Sequence, residues 1–322
     1  MKKATYFYLL RRGFFAGGGG EWSTLVNAFK TRVLADGGTL ESESCIRDDV
    51  KYLIQNPEPV AFTGLLNDYS GAAAAYSLRL LDNTYTGNAI KVRRASDNAE
   101  QDIAFSNNEL DTATLETFAS GTDAFVTTWY DQSGNGNDVA QASAADQPKI
   151  VSSGSTLLLN NKPTIQSLNK RLLNNNFTTS VIKTDLFVYN TDSLNASFNC
   201  YFDGGVQNTA NRSYYGTNNS TPQKEIMFEG VGLISSVNSD TTQKLAFNIS
   251  NSPNSLIHIN NTSVASGTSG SNTSFVGLSL GRDYNNSASS NINYQEFVRW
   301  DTDQSANRTG IETNINDFYS IY

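Results

Sequence analysis

Carboxylates set beside aromatic rings are the means by which a protein grips or cleaves a sugar. The acid hydrogen-bonds hydroxyls while the ring stacks on a C–H face. Glu296 is spaced for this, sharing one face of an alternating run with Tyr294, Val298 and Trp300. The same spacing allows another reading, in which Trp300 is core and Glu296 pairs with an arginine. Tyr201, Tyr214, Tyr215 and Tyr284 fall in polar stretches, where tyrosines beside Asn and Asp form a glycan or protein contact surface or pack within loops. Asp131, Asn135, Asn137 and Asp138 gather the hard oxygens that calcium prefers, without a complete ligand spacing.

These last residues belong to the run Trp129-Tyr130-Asp131-Gln132-Ser133-Gly134-Asn135-Gly136-Asn137-Asp138. Val126 to Tyr130 are β-branched or aromatic and predict a strand. Beyond it Gly134 and Gly136 supply positive φ, and Asp131, Ser133, Asn135 and Asn137 can bond their own backbone, so a tight structural loop is expected. Asp131 has three open roles: holding this turn, pairing with Arg93 or Arg94, or ligating calcium.

The chain has 322 residues, 38% hydrophobic and only 17% charged, so its polarity comes from Asn, Ser, Thr and Gly. Such connections between short apolar runs suit an all-β protein. A formal net charge of −8 argues against nucleic acid and anionic membranes as partners. Cys45 and Cys200 lie far apart, and neither a disulfide framework nor zinc spacing is present. The single histidine, His258, excludes a multi-histidine metal site and reads as a strand residue on a polar face. No metal or other cofactor is expected apart from the calcium option. The N-terminal apolar stretch is interrupted by Arg11-Arg12, so no export signal is expected, and no run reaches membrane-spanning length.

Residues 1–60 read as an arm, the Gly17–Gly20 joint and a helical pair ended by Asn56-Pro57-Glu58-Pro59. The pair is too small for a core of its own, so it docks on the main domain or on a partner. Residues 61–322 read as one domain. Short helices are expected over Ala72–Leu81 and Leu110–Phe118. Strands follow at 125–130, 156–159, 185–189, 225–228, 244–249, 256–259, 275–280 and 294–300, then a helix over Ser305–Tyr319. The fold class is mainly β, a sandwich or jelly roll.

Five segments of this domain resemble the catalytic domain of α-L-arabinofuranosidase B type glycosidases, a concanavalin-like jelly roll. They are Ala75–Arg79 with Tyr85–Val92, the Trp129–Asp138 run, Cys200–Gly205, Ile226–Leu233, and Leu280–Asn286 with Tyr294–Glu296. The resemblance implies a retaining mechanism, in which carboxylates about 5–5.5 Å apart serve as nucleophile and acid–base. Carried onto this chain, the nucleophile is Glu229 and the acid–base Asp283. Cys200, Tyr201, Asp203, Tyr284, Glu296 and Trp300 are the expected carbohydrate contacts. One departure matters: the family's adjacent cysteine pair is Cys200-Tyr201 here, so its disulfide cannot form. Similar domains behind short N-terminal segments occur in tailed-bacteriophage virion proteins. The expectation is therefore a virion protein, made in a host cytoplasm, that binds surface polysaccharide without cleaving it. It would be a homo-oligomer and would contact other virion proteins through residues 1–60. The alternatives are an active glycosidase using Glu229 and Asp283, and a structural decoration subunit with no ligand.

Overall fold

A computed structural model describes residues 62–194, 199–204, 213–218, 220–270, 276–284 and 291–322. The arm and helical pair expected over residues 1–60 lie outside the described residues. Chain contacts separate residues 62–322 as one unit, and among its described residues nineteen strands form a continuous hydrogen-bonded sheet. In chain order these are β1 (Ala72–Ser77), β2 (Ile90–Arg94), β3 (Glu100–Ile103), β4 (Ala124–Trp129), β5 (Val139–Ala140), β6 (Lys149–Ser152), β7 (Ser155–Thr156), β8 (Ile165–Gln166), β9 (Leu172–Thr178) and β10 (Lys183–Thr191). They continue as β11 (Asn199–Gly204), β12 (Ser213–Thr217), β13 (Lys224–Phe228), β14 (Gly232–Asn238), β15 (Lys244–Ser250), β16 (Ser255–Ile259), β17 (Thr262–Gly267), β18 (Val276–Leu280) and β19 (Ile292–Trp300).

The ladder folds over on itself into a sandwich. One layer runs β14-β13-β12-β11-β18-β9-β5-β4-β2-β3. The other runs β17-β16-β15-β10-β19-β1. A corner through β8 and β6 joins β19 to β4. Between the layers lies an aromatic core containing Tyr76, Trp129, Phe187, Tyr189, Tyr201, Phe202, Tyr215, Tyr294 and Phe297. A separate cluster on the outer face of the second layer holds Leu186, Val188, Phe247, Val298 and Trp300. It is covered by helix α1 (Leu65–Asp68) and helix α3 (Arg308–Tyr319). Helix α3 buries Ile311, Ile315 and Tyr319, one residue per turn and therefore one stripe. Helix α2 (Thr112–Ala119) starts where the Asp111 side chain accepts from Thr114 N–H and ends at left-handed Ser120.

Three sequence expectations are corrected here. Ala72–Ser77, expected to be helical, is strand β1, paired with Trp300–Glu296 of β19. Alanine favours helix only weakly, and tertiary pairing overrides it. Tyr201, Tyr214 and Tyr215, expected in polar loops, lie on β11 and β12, Tyr201 and Tyr215 with no exposure. The strand expected at 156–159 is interrupted, as β7 and Leu158–Leu159.

Candidate functional site

Asp131 anchors the loop after β4. Its Oδ1 accepts Ala75 N–H (2.8 Å) and Ser133 N–H (2.9 Å), and its Oδ2 accepts Asn137 N–H (2.9 Å) and Ser133 Oγ (2.7 Å). Gln132 N–H donates to Ala75 O, and the Asn135 and Asn137 amides donate to Ala72 O and Ala73 O. Gly134 and Gly136 have φ of +85° and +70°, which glycine adopts without strain. Both Asp131 oxygens are thus taken by N–H and O–H donors. Arg93 instead bonds Gln147 and Asn98, and Arg94 bonds Asp97. No group of three or more His, Cys, Asp or Glu side chains suited to a metal occurs among the described residues.

Glu229 follows β13. Alternation sends Met227 into the inter-layer core and Phe228 to the outer face, so Glu229 turns inward. There it meets the opposite layer. Its Oε2 accepts Lys183 Nζ (2.9 Å), and its Oε1 accepts Ser213 Oγ (2.5 Å) and Ser250 Oγ (3.2 Å). Glu229 is 3% exposed and Lys183 not at all. Two residues along β10 from Lys183, Asp185 holds Arg299 through Nε (2.5 Å) and Nη2 (2.9 Å). Arg299 also lies over the rings of Phe177, Phe202 and Phe297. Charges this deep are tolerated because each has an opposite charge in contact.

Asp283, also without exposure, is placed on another face. After β18 the chain reverses at Gly281 (φ +95°) and crosses the outer face of the first layer. Phe202 points into the core, so its neighbour Asp203 points outward, and Asp203 Oδ2 accepts Tyr284 N–H at 2.8 Å. Arg171 Nη1 donates to Asp283 O (3.0 Å) and Tyr284 O (2.7 Å). The Tyr284 ring sits on Gly277, where a Cβ would come within 2.9 Å of it. Glu229 therefore faces between the layers, while the Asp283 segment lies on the outer face of the same sheet. The structure does not set these residues side by side on one face. It does bring Asp203, Asp283, Tyr284 and Arg171 together.

The remaining expected carbohydrate contacts are dispersed. In β19 the register shifts between Glu296 and Tyr294, so Tyr294 joins the inter-layer core while Val298 and Trp300 face helix α3. This bulge corrects the single face read from the sequence. Trp300 is fully buried, with Nε1–H donating to Tyr69 O. Glu296, also without exposure, accepts Arg79 Nε (2.8 Å) and Nη2 (3.1 Å), Ser77 Oγ (2.8 Å) and Tyr319 OH (3.2 Å). It joins the sheet to helix α3 and is the arginine-paired carboxylate of the alternative reading. Cys200 and Tyr201 are buried, the Tyr201 ring 4.8 Å from that of Tyr189. On the outer face, Tyr214 stacks on Phe228 with centroids 5.0 Å apart.

Sequence reading missed Lys183, Asp185, Arg299 and Glu225. The first two were visible as charges on the parity of Phe187 and Tyr189, and Arg299 sits on that of Phe297. Glu225 is enclosed among Tyr189, Tyr201 and Tyr215 and accepts Ser239 Oγ (2.5 Å). Burial pushes its carboxyl above the ordinary range despite the opposing charge of Lys244.

Residues 68–156 match the family model of the α-L-arabinofuranosidase B catalytic domain. Over 72 residues the chain is 40% identical to an α-L-arabinofuranosidase B of Penicillium canescens, which is 22% of this chain and 16% of that protein. A probable α-L-arabinofuranosidase B of Aspergillus flavus is also 40% identical over 72 residues, covering 14% of its length. Among solved structures, an arabinofuranosidase complexed with arabinofuranosyl-α-1,2-xylobiose superposes with a TM-score of 0.62 at 18% identity, over 76% of this chain and 62% of that one. A GH54 α-L-arabinofuranosidase soaked with a cyclic sulfate inhibitor gives 0.62 at 19% identity, with the same coverage. The chain thus spans less than two thirds of these relatives. It shares their sandwich fold and, over residues 68–156, it matches the family model of the α-L-arabinofuranosidase B catalytic domain.

Proposed function

We propose that this chain is a glycoside hydrolase domain acting on α-L-arabinofuranosides. The observation that carries the reading is the 40% identity over 72 residues to the Penicillium canescens enzyme, beside the family match over residues 68–156. Asp283 is the acid–base carboxylate in this reading, and its backbone is fixed on the outer face by Asp203 and Arg171. The resemblance assigns the nucleophile to Glu229, which faces between the layers across the sheet from Asp283 with its oxygens occupied by an ammonium and two hydroxyls, so in this arrangement the two carboxylates do not form a retaining pair. The test is hydrolysis of a chromogenic α-L-arabinofuranoside by wild type, Glu229→Gln and Asp283→Asn, each checked for folding. Turnover in wild type that both substitutions abolish supports the reading, and a folded wild type without turnover removes it.

The enclosure of Glu229 favours a second reading, a non-catalytic carbohydrate-binding domain. A virion setting, attachment through residues 1–60 and homo-oligomeric assembly belong with this reading and rest on the sequence resemblance alone. Retention on immobilised arabinan without hydrolysis is its expected signature.

A further inference from the structure

We infer that Asp203 and Arg171 are positioning residues for Asp283, fixing from neighbouring strands the backbone of the reversal that carries it. The inference rests on the glycosidase reading and goes beyond it, since neither residue is given a reacting role. Gly281–Tyr284 is held far more tightly than a connecting turn needs. Gly281 N–H donates to Tyr201 O (2.8 Å), and Ser279 Oγ donates to Arg282 O (2.6 Å). Arg282 Nη1 reaches Asn169 O (2.6 Å), and Tyr284 OH reaches Asn175 Oδ1 (2.6 Å). Asp203 accepts the Tyr284 N–H, and Arg171 Nη1 donates to the successive carbonyls of Asp283 and Tyr284. A Cβ at Gly281 would stand 2.7 Å from Ser167 Oγ, so the reversal also needs that glycine.

The arrangement has a cost that a structural turn has no reason to carry. Arg171 Nε is buried without a hydrogen-bond partner among the described residues. Burial, and then the adjacent Arg282 charge, lower the pKa of Arg171. Arg171 and Arg282, held together around one short segment with Asp146 and Asp283 as the opposing charges, are explained if the segment must not move. Acid–base catalysis has that demand, since a misplacement of about 1 Å costs on the order of 100-fold in rate.

The experiment compares Asp203→Ala, Asp203→Asn, Arg171→Met and wild type on a chromogenic α-L-arabinofuranoside. Hydrogen exchange of the Tyr284 amide is read alongside. Asp203→Ala and Arg171→Met are expected to lower kcat roughly 10- to 100-fold with KM little changed. In Asp203→Ala the Tyr284 amide exchanges faster while β10 and β19 keep their protection. Asp203→Asn retains an acceptor oxygen and recovers most of the rate. Full kcat in both Asp203→Ala and Arg171→Met overturns this inference while leaving the glycosidase reading intact, as does loss of exchange protection throughout the sandwich. A folded wild type without turnover removes both.

Discussion

Replacing Lys183 with methionine tests whether Glu229 is sealed between the layers. At 2.9 Å the ammonium and carboxylate attract by about 6 kcal/mol at an effective dielectric constant of roughly 20. Methionine fills similar volume but leaves the carboxylate uncompensated, and breaking a buried pair in this way costs about 3–5 kcal/mol. Ser213 and Ser250 still donate to Glu229, which places the expected loss near 3 kcal/mol, the lower end. The double variant Lys183→Met/Glu229→Gln removes both charges and should recover most of it. Urea unfolding of wild type, both single variants and the double variant supplies the coupling energy. A loss below about 1 kcal/mol for Lys183→Met would refute the argument, showing that Glu229 finds solvent when its partner is removed.

Asp131→Ala should cost about 2–3 kcal/mol in urea unfolding, because the buried Ala75 N–H loses its acceptor together with the loop donors. Glu225 makes stability pH-dependent in a definite sense. Its folded pKa is raised above 4.5, so below that value its carboxyl is protonated in both states and its contribution is intact. As pH rises through 4.5 the unfolded state releases the proton more readily, and stability is lost up to the folded pKa. Glu225→Gln should therefore gain stability over wild type between acidic and neutral pH, and urea midpoints that shift in parallel at all pH values would contradict this.

Much of the sandwich was legible in the sequence because strands such as 185–189, 244–249 and 294–300 carry dense β-branched and aromatic residues. The loop at Asp131 was legible because Asx turns and positive-φ glycines are local devices. Ala72–Ser77 was not, since four consecutive alanines carry no period and pairing with β19 decides their conformation. The candidate site was less legible still. Parity arguments place side chains on faces only where register is unbroken, and the shift near Gln295 moved Tyr294 away from Glu296. Glu229 could be picked out as an acid near a strand end. That it would meet Lys183, 46 residues earlier, follows from how the layers stack, which no local pattern records.

The Asp131 loop also closes one edge of the sheet. Strand β1 pairs with β19 along one side, and along the other its backbone groups are met by Asp131, Gln132, Asn135 and Asn137. A short alanine-rich strand with a bare side would be a ready template for intermolecular β-pairing, with no charged side chain to discourage it. By occupying those groups with side chains and turn backbone, the loop ends the sheet at β1 and withholds that edge from aggregation.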